Sequence, residues 1–165
     1  MKQRTVKSWF SEPVIRSLLV EADRIFPLET GGVMMGYWSE SKDEVVICHT
    51  SGPGPRAIHT EHSFIPDYDY QESEIARLYE ESGRVHTYLG DWHTHPHEAV
   101  YLSPKDERAL RKVASFSEAR APMPIMAILG GGDLEWYIGA WCYVPRRMMH
   151  FPGKGKTSSL EINFY

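Results

Sequence analysis

Cysteine is scarce: Cys48 and Cys142 are the only two in 165 residues, and neither lies in a C-x-x-C pair. That excludes a cysteine-rich zinc module and a disulfide framework. It also excludes a zinc deaminase site, which needs a P-C-x-x-C run to complete its ligands. Both thiols sit in apolar, strand-like runs and are expected to be buried small hydrophobes. Positive charge is scarce too: 18 Lys and Arg against 22 Asp and Glu leave a net charge of −4, which argues against a general nucleic-acid binder, because neutralising phosphates takes an excess of bases. No apolar run approaches membrane-spanning length, and the basic start Met1-Lys2-Gln3-Arg4 lacks the apolar segment of a secretory signal, so no membrane partner and a cytoplasmic location are expected. Repeats and linkers are absent. With 42% hydrophobic and 24% charged residues, the chain reads as one globular domain over 1–165.

What is present is histidine in a pattern. Asp91-Trp92-His93-Thr94-His95-Pro96-His97 follows the β-prone run Val85 to Gly90, and strand residues two apart share a face, so the imidazoles of His93 and His95 can converge on one point. Eleven residues after His95 stands Asp106, in Ser103-Pro104-Lys105-Asp106, which opens a helical pattern carried by Ala109, Leu110, Val113 and Ala114. Two imidazoles and one carboxylate make three protein ligands, the number found at catalytic zinc sites that keep a fourth position open. Each half has a plain structural reading as well. Ser103 and Pro104 make a good helix start, with Asp106 as an acidic N3 residue that needs no metal, and strand histidines are often structural.

The combined spacing, His93-Thr94-His95-Pro96, six residues, Ser103, two residues, Asp106, resembles the metal signature of the JAB/MPN (JAMM) metalloproteases. The segment Glu29-Thr30-Gly31-Gly32-Val33-Met34-Met35-Gly36 resembles the upstream glutamate element of that family. The resemblance covers most of the chain, from about Pro27 to Gly130. It implies an α+β fold, a mixed β-sheet flanked by helices of the MPN/JAB, cytidine-deaminase-like kind. It implies one catalytic Zn2+ on His93, His95 and Asp106, Glu29 as general base and then acid, and Ser103 as a hydroxyl donor to the oxyanion. It also implies a substrate that is a ubiquitin-like protein or another protein conjugated through its C-terminus, with E1- and E2-like conjugation enzymes as partners, as in bacterial anti-phage systems. Two alternatives stay open: a processing peptidase that trims a ubiquitin-like or sulfur-carrier precursor, and a non-catalytic MPN-type scaffold.

The remaining elements follow from periodicity. Residues 8–24 read as a first helix capped by Ser11, with Val14, Ile15, Leu18, Leu19 and Ala22 on its apolar face. Gly31 to Trp38 and Glu44 to His49 read as paired strands, and 51–66 as an irregular segment. In that segment His59 and His62 form a weak metal pair, and Arg56, His59 and Phe64 are weak substrate contacts. A second helix is expected from Asp67 to Ser82, with Ile75, Leu78 and Tyr79 inward and Gly83 as its stop. His97 is at best a neighbour of the ligands, because Pro96 breaks the alternation. A third helix over 104–116, a hairpin about Gly130 to Asp133, a flexible turn at 153–156 and a last strand from Leu160 to Phe164 complete the reading.

Overall fold

Residues alternating in and out build one large sheet, onto whose two faces three helices pack. The computed structural model describes residues 5–145 and 155–165. In chain order its elements are β1 (Lys7–Phe10), α1 (Glu12–Ile25), β2 (Gly31–Trp38), β3 (Glu44–Thr50), β4 (Ile58–His59), β5 (Phe64–Ile65), α2 (Tyr68–Glu81), β6 (Thr87–Pro96), α3 (Pro104–Ser115), a 3-10 turn (Ser117–Ala119), β7 (Ile125–Gly132), β8 (Glu135–Val144), β9 (Lys156–Ser159) and β10 (Glu161–Phe164). The eight-stranded sheet runs β10-β1-β3-β2-β6-β7-β8-β9, and β4 and β5 form a separate small hairpin. Since β9 and β10 are consecutive, with Leu160 between them, one short segment supplies both edges of the sheet. Neither end is left as a long open edge.

Alternation along β7 shows how the two layers share the sheet. Ile125, Ala127 and Leu129 face a core with Val14, Leu18 and Ala22 of α1, whereas Met126 and Ile128 pack with Leu110 of α3. The helices α2 and α3 therefore lie on the face opposite α1, and the groove between them is floored by β2, β6 and β7.

Helices α2 and α3 and strands β2, β3, β6, β7 and β8 stand where the periodicity put them, whereas the segment 51–66, read as irregular, carries the short β4–β5 hairpin, two residues per strand and so too short to show as alternation. Ser11 caps α1 by accepting from the Val14 N–H at 3.4 Å. The start of the first helix does not. Residues 8–10 belong to β1, with Ser8 and Phe10 fully buried on one side and parallel pairing to both β3 and β10. That two-residue alternation is too short to stand out locally, and its partners are distant in sequence. In α2 the buried positions are Leu78 and Gln71 rather than Ile75 and Tyr79, which are half-buried. Gln71 is admitted because its Nε2 donates to the Gly52 carbonyl at 3.2 Å. Cys142 is buried as expected, but Cys48 is only half-buried, beside the Tyr165 hydroxyl. Of the expected turn at 153–156, residues 153 and 154 lie outside the described residues. Gly155 is buried with its N–H donating to the Tyr143 hydroxyl, and Lys156 opens β9, a strand that periodicity did not indicate.

A β-bulge aligns β6 for its task. Met34 of β2 faces Gly90 and Met35 faces Tyr88, so Leu89 is extra. Gly90 has φ +147°, and a Cβ there would meet the Ile125 carbonyl oxygen at 1.9 Å. Gly90→Ala is accordingly expected to cost about 2–4 kcal/mol, measured as a lower midpoint in urea unfolding; an unchanged midpoint would show that the bulge tolerates a side chain.

Candidate metal centre and its cavity

After the bulge, odd-numbered residues of β6 face the groove: Asp91, His93 and His95 line it, while Trp92 is in the α1 core. Asp106 reaches the same point from the first turn of α3. The three residues are 7–9% exposed, and their candidate ligand atoms all lie within 4.8 Å of one another. His93 Nε2 is 3.0 Å from His95 Nε2, 3.2 Å from Asp106 Oδ1, and His95 Nε2 is 3.6 Å from Asp106 Oδ2. A small tetrahedral cation with bonds of about 2.0–2.1 Å has ligand-to-ligand edges of about 3.3 Å. The triad fits such an ion.

Both readings of the helix start hold together. Ser103 Oγ accepts from the Asp106 N–H at 3.2 Å and Asp106 Oδ2 accepts from the Ser103 N–H at 2.9 Å, a reciprocal capping box. The cap leaves Oδ1 turned toward His93, so the hydrogen bond that starts the helix also orients the candidate ligand. Burial would raise the Asp106 pKa, but the adjoining His93 and the Ser103 hydrogen bonds outweigh it and hold the carboxyl down at about 2. Burial, then the neighbouring His93, lower the His95 pKa below its ordinary 6.5. His95 Nδ1 has no protein hydrogen-bond partner; its ring is instead set by packing against Tyr101, with centroids 5.1 Å apart.

Glu29 comes to this site through strand register. Gly31 pairs with His93, and Thr30 and Thr94 exchange two hydrogen bonds: the Thr94 N–H donates to the Thr30 carbonyl at 2.9 Å and the Thr30 N–H to Thr94 Oγ1 at 3.0 Å. The same antiparallel order sets Glu29 across from His95. The β4–β5 hairpin fixes the backbone of Glu29 from the other side, because its N–H donates to the Thr60 carbonyl at 2.8 Å and its carbonyl accepts from His59 Nδ1 at 2.7 Å. Phe64 of the hairpin packs so close to Gly31 that a Cβ there would meet its ring at 2.6 Å. The Glu29 pKa is raised, chiefly by burial, against the pull of His93 and Lys105.

Glu29, His93, His95, Ser103 and Asp106 all line one cavity of about 790 Å3, together with His62, Phe64 and Tyr101. Residues 11–139 match the profile of a family described as prokaryotic homologs of the JAB domain. The chain belongs to this prokaryotic JAB family. This JAB protein is 43% identical over 159 residues, 95% of its length and 96% of the relative's, to a probable metalloprotease, y4qB, of Sinorhizobium fredii. It is 30% identical over 111 residues to a CD-NTase/cGAS isopeptidase of Vibrio cholerae, covering 67% of this chain and 66% of that one, and 27% identical over 124 residues, 75% and 76% of the two chains, to one of Escherichia coli. The fold is similar to the solution structure of protein DSY2949 from Desulfitobacterium hafniense, with a TM-score of 0.67 at 16% identity over 96% of this chain and 92% of that one. The JAB family and these metalloprotease and isopeptidase relatives place the chain among hydrolases, and the triad suits a metal ion.

Other expectations for the JAB site change. His97 is exposed, at φ +61°, and turns from the triad toward Asp133 and the edge of Phe26. Arg56 does not line the cavity; it is held by Asp67 and Asp69. Among the described residues His59 and His62 join no metal group, and His59 braces Glu29 instead of lining the groove. The residue that sequence reasoning passed over is Asp91, whose carboxyl is pushed up to about 6 by burial, with Tyr88 and His93 pulling the other way.

Because the ligand imidazoles must be unprotonated to bind, the pKa direction gives a testable sign. His95 stays neutral further into acid than an ordinary imidazole, so metal affinity is expected to be flat from pH 8 to about 7 and to fall only below about 6.5, by up to roughly tenfold per pH unit for each proton taken up. Competition with a chelator across this range measures it; a steep loss already between pH 8 and 7 would contradict the direction.

Proposed function

We propose that the protein is a zinc-dependent isopeptidase that hydrolyses the bond after the C-terminal residue of a ubiquitin-like or similarly conjugated protein. In this reading His93, His95 and Asp106 hold the ion, Glu29 is general base and general acid, and Ser103 is an oxyanion donor. The observation that carries it is the convergence of the three ligands with a half-buried glutamate in one groove. The names of the relatives, a metalloprotease and two isopeptidases for CD-NTase/cGAS, support the substrate class. An acceptor conjugated by E1- and E2-like enzymes would supply the bond. The complete ligand set argues against a scaffold. Free rather than paired thiols suit the cytoplasm.

A bound zinc supplies a Lewis acid that makes water nucleophilic near neutral pH and polarises a carbonyl. The side chains must do the proton work. Glu29 takes a proton from the attacking water and returns it to the departing lysine nitrogen, and a carboxyl raised by burial suits both tasks better than an exposed one. The Ser103 hydroxyl accepts from the Asp106 N–H, and its own hydrogen, which also serves the Asp106 carboxylate, can rotate to donate to the oxyanion while the N–H bond of the cap is kept. Phe64 and Tyr101 add aromatic surface to the cavity wall, and a drier surround strengthens hydrogen bonds of this kind.

The test is hydrolysis of a ubiquitin-like tail joined to a lysine side chain, set beside the same tail in a linear fusion. Cleavage of the isopeptide bond is expected; cleavage of the linear bond alone would favour a processing peptidase, and cleavage of neither would remove the assignment. Glu29→Ala should keep its zinc and its melting temperature while kcat falls about 100- to 10,000-fold. His95→Ala should instead lose the ion, read by metal analysis after dialysis. Full occupancy in that variant would strike His95 from the ligands, and undiminished turnover in the first would do the same for the role of Glu29.

A further inference from the structure

The groove extends well beyond the metal end. Asp91 stands two residues before His93 on the same face of β6, about 7 Å along the strand; it pairs with Met126 of β7 and lines the cavity in company with Ile75 of α2 and Val113 of α3. Its Oδ1 accepts from the Tyr88 hydroxyl at 2.9 Å. Tyr88 reaches the same face only because of the bulge at Leu89, since the pair is three positions apart in sequence and unbroken alternation would place them on opposite sides. Among the described residues no lysine or arginine forms an ion pair with Asp91. A largely buried carboxylate with a phenol as its protein hydrogen-bond partner and no cationic side chain paired with it is a net cost to folding. That cost is offset when an outside group supplies the missing charge.

The rest of the wall is consistent in sign. Lys105 is the only lysine or arginine among the described lining residues, and it belongs to the metal end, one residue from Asp106. Glu72 and Glu118 line the cavity with Asp91, so the field there favours a cation.

We propose that Asp91, braced by Tyr88, is the specificity acid of this groove: it receives the ammonium or guanidinium of a lysine or arginine carried in the substrate's extended tail within four residues of the scissile bond. The distance sets the range, because an extended tail advances about 3.3–3.6 Å per residue, so 7 Å is two residues, and a long basic side chain can reach back or forward by one or two more. The inference rests on the isopeptidase reading in that it takes the groove to hold a peptide tail.

The experiment uses fluorescent ten-residue tail peptides ending in a free carboxylate, in which arginine or norleucine is placed in turn at each of the last four positions. Binding is measured by fluorescence anisotropy to the zinc-loaded Glu29→Gln protein, with and without the additional Asp91→Asn change, which is isosteric and can keep the Tyr88 hydrogen bond. At one position arginine should bind about 10- to 100-fold tighter than norleucine, the range of a charge-assisted hydrogen bond, and Asp91→Asn should bring that ratio close to one. A ratio near one at all four positions overturns the subsite, as does an arginine preference that survives Asp91→Asn. Cleavage of isopeptide-linked versions by the unmodified enzyme separates the two readings. Selective binding without cleavage keeps the subsite and removes the isopeptidase, whereas cleavage without arginine preference does the reverse.

Discussion

One carboxylate is shared between a helix cap and the candidate metal site, and the geometry of the His93-His95-Asp106 triad depends on that sharing. Asp106 closes the capping box of α3 through Oδ2 and faces His93 through Oδ1. A ligand carboxylate left to itself would rotate about its side-chain torsions, losing entropy when an ion fixes it. Here the helix start has already fixed it, at a net gain of about 1 kcal/mol for the cap. The proline at the first helical position and the serine before it belong to the metal site in the same sense. They decide where α3 begins, and the beginning of α3 decides where the third donor sits.

The glutamate is held by a different device. Its carboxylate has to lie in a partly dry place, and its backbone could not stay there with unmet polar groups. The β4–β5 hairpin meets both, through the Thr60 carbonyl and His59, while the paired threonines Thr30 and Thr94 lock the strand entrance to the strand of the histidines. Glu29 is thereby joined to the ligands through backbone and to the groove wall through a short hairpin that also brings His62 and Phe64 to the cavity.

Much of this was readable from residues alone, because its signals are local. The spacing from His93 to Asp106, the Ser103 cap, the alternation in β7 and the periodicity of α1 and α3 each need only a short window of chain. What was hidden depends on pairing across distance. Strand β1 is four residues long and is made a strand by β3 and β10; Ser8 and Phe10 look equally at home at the head of a helix. His59 was visible as a histidine, but its bond to the Glu29 carbonyl joins residues thirty apart and no spacing rule anticipates it. Asp91 stood inside the histidine motif and still escaped notice, since an acid before a strand histidine is unremarkable until the bulge at Leu89 shows that Tyr88 and Asp91 share a face.

That bulge bears on why the groove is built as it is. Asp91, Glu29 and Asp106 are three carboxylates in one cavity, and two unit charges of like sign about 7 Å apart repel by roughly 2 kcal/mol at an effective dielectric of 20. Lys105, the one lysine or arginine among the described lining residues, stands at one end only. The cavity is therefore short of positive charge at two separate points, the triad and the floor beyond it. A divalent ion would answer the first. On the proposed reading the second lies where an extended peptide tail would pass, and an apolar tail without a basic residue would leave Asp91 covered and without a counter-charge, at a cost of about 1–3 kcal/mol or more. Discrimination of this kind comes from the penalty on the wrong occupant as much as from the attraction of the right one.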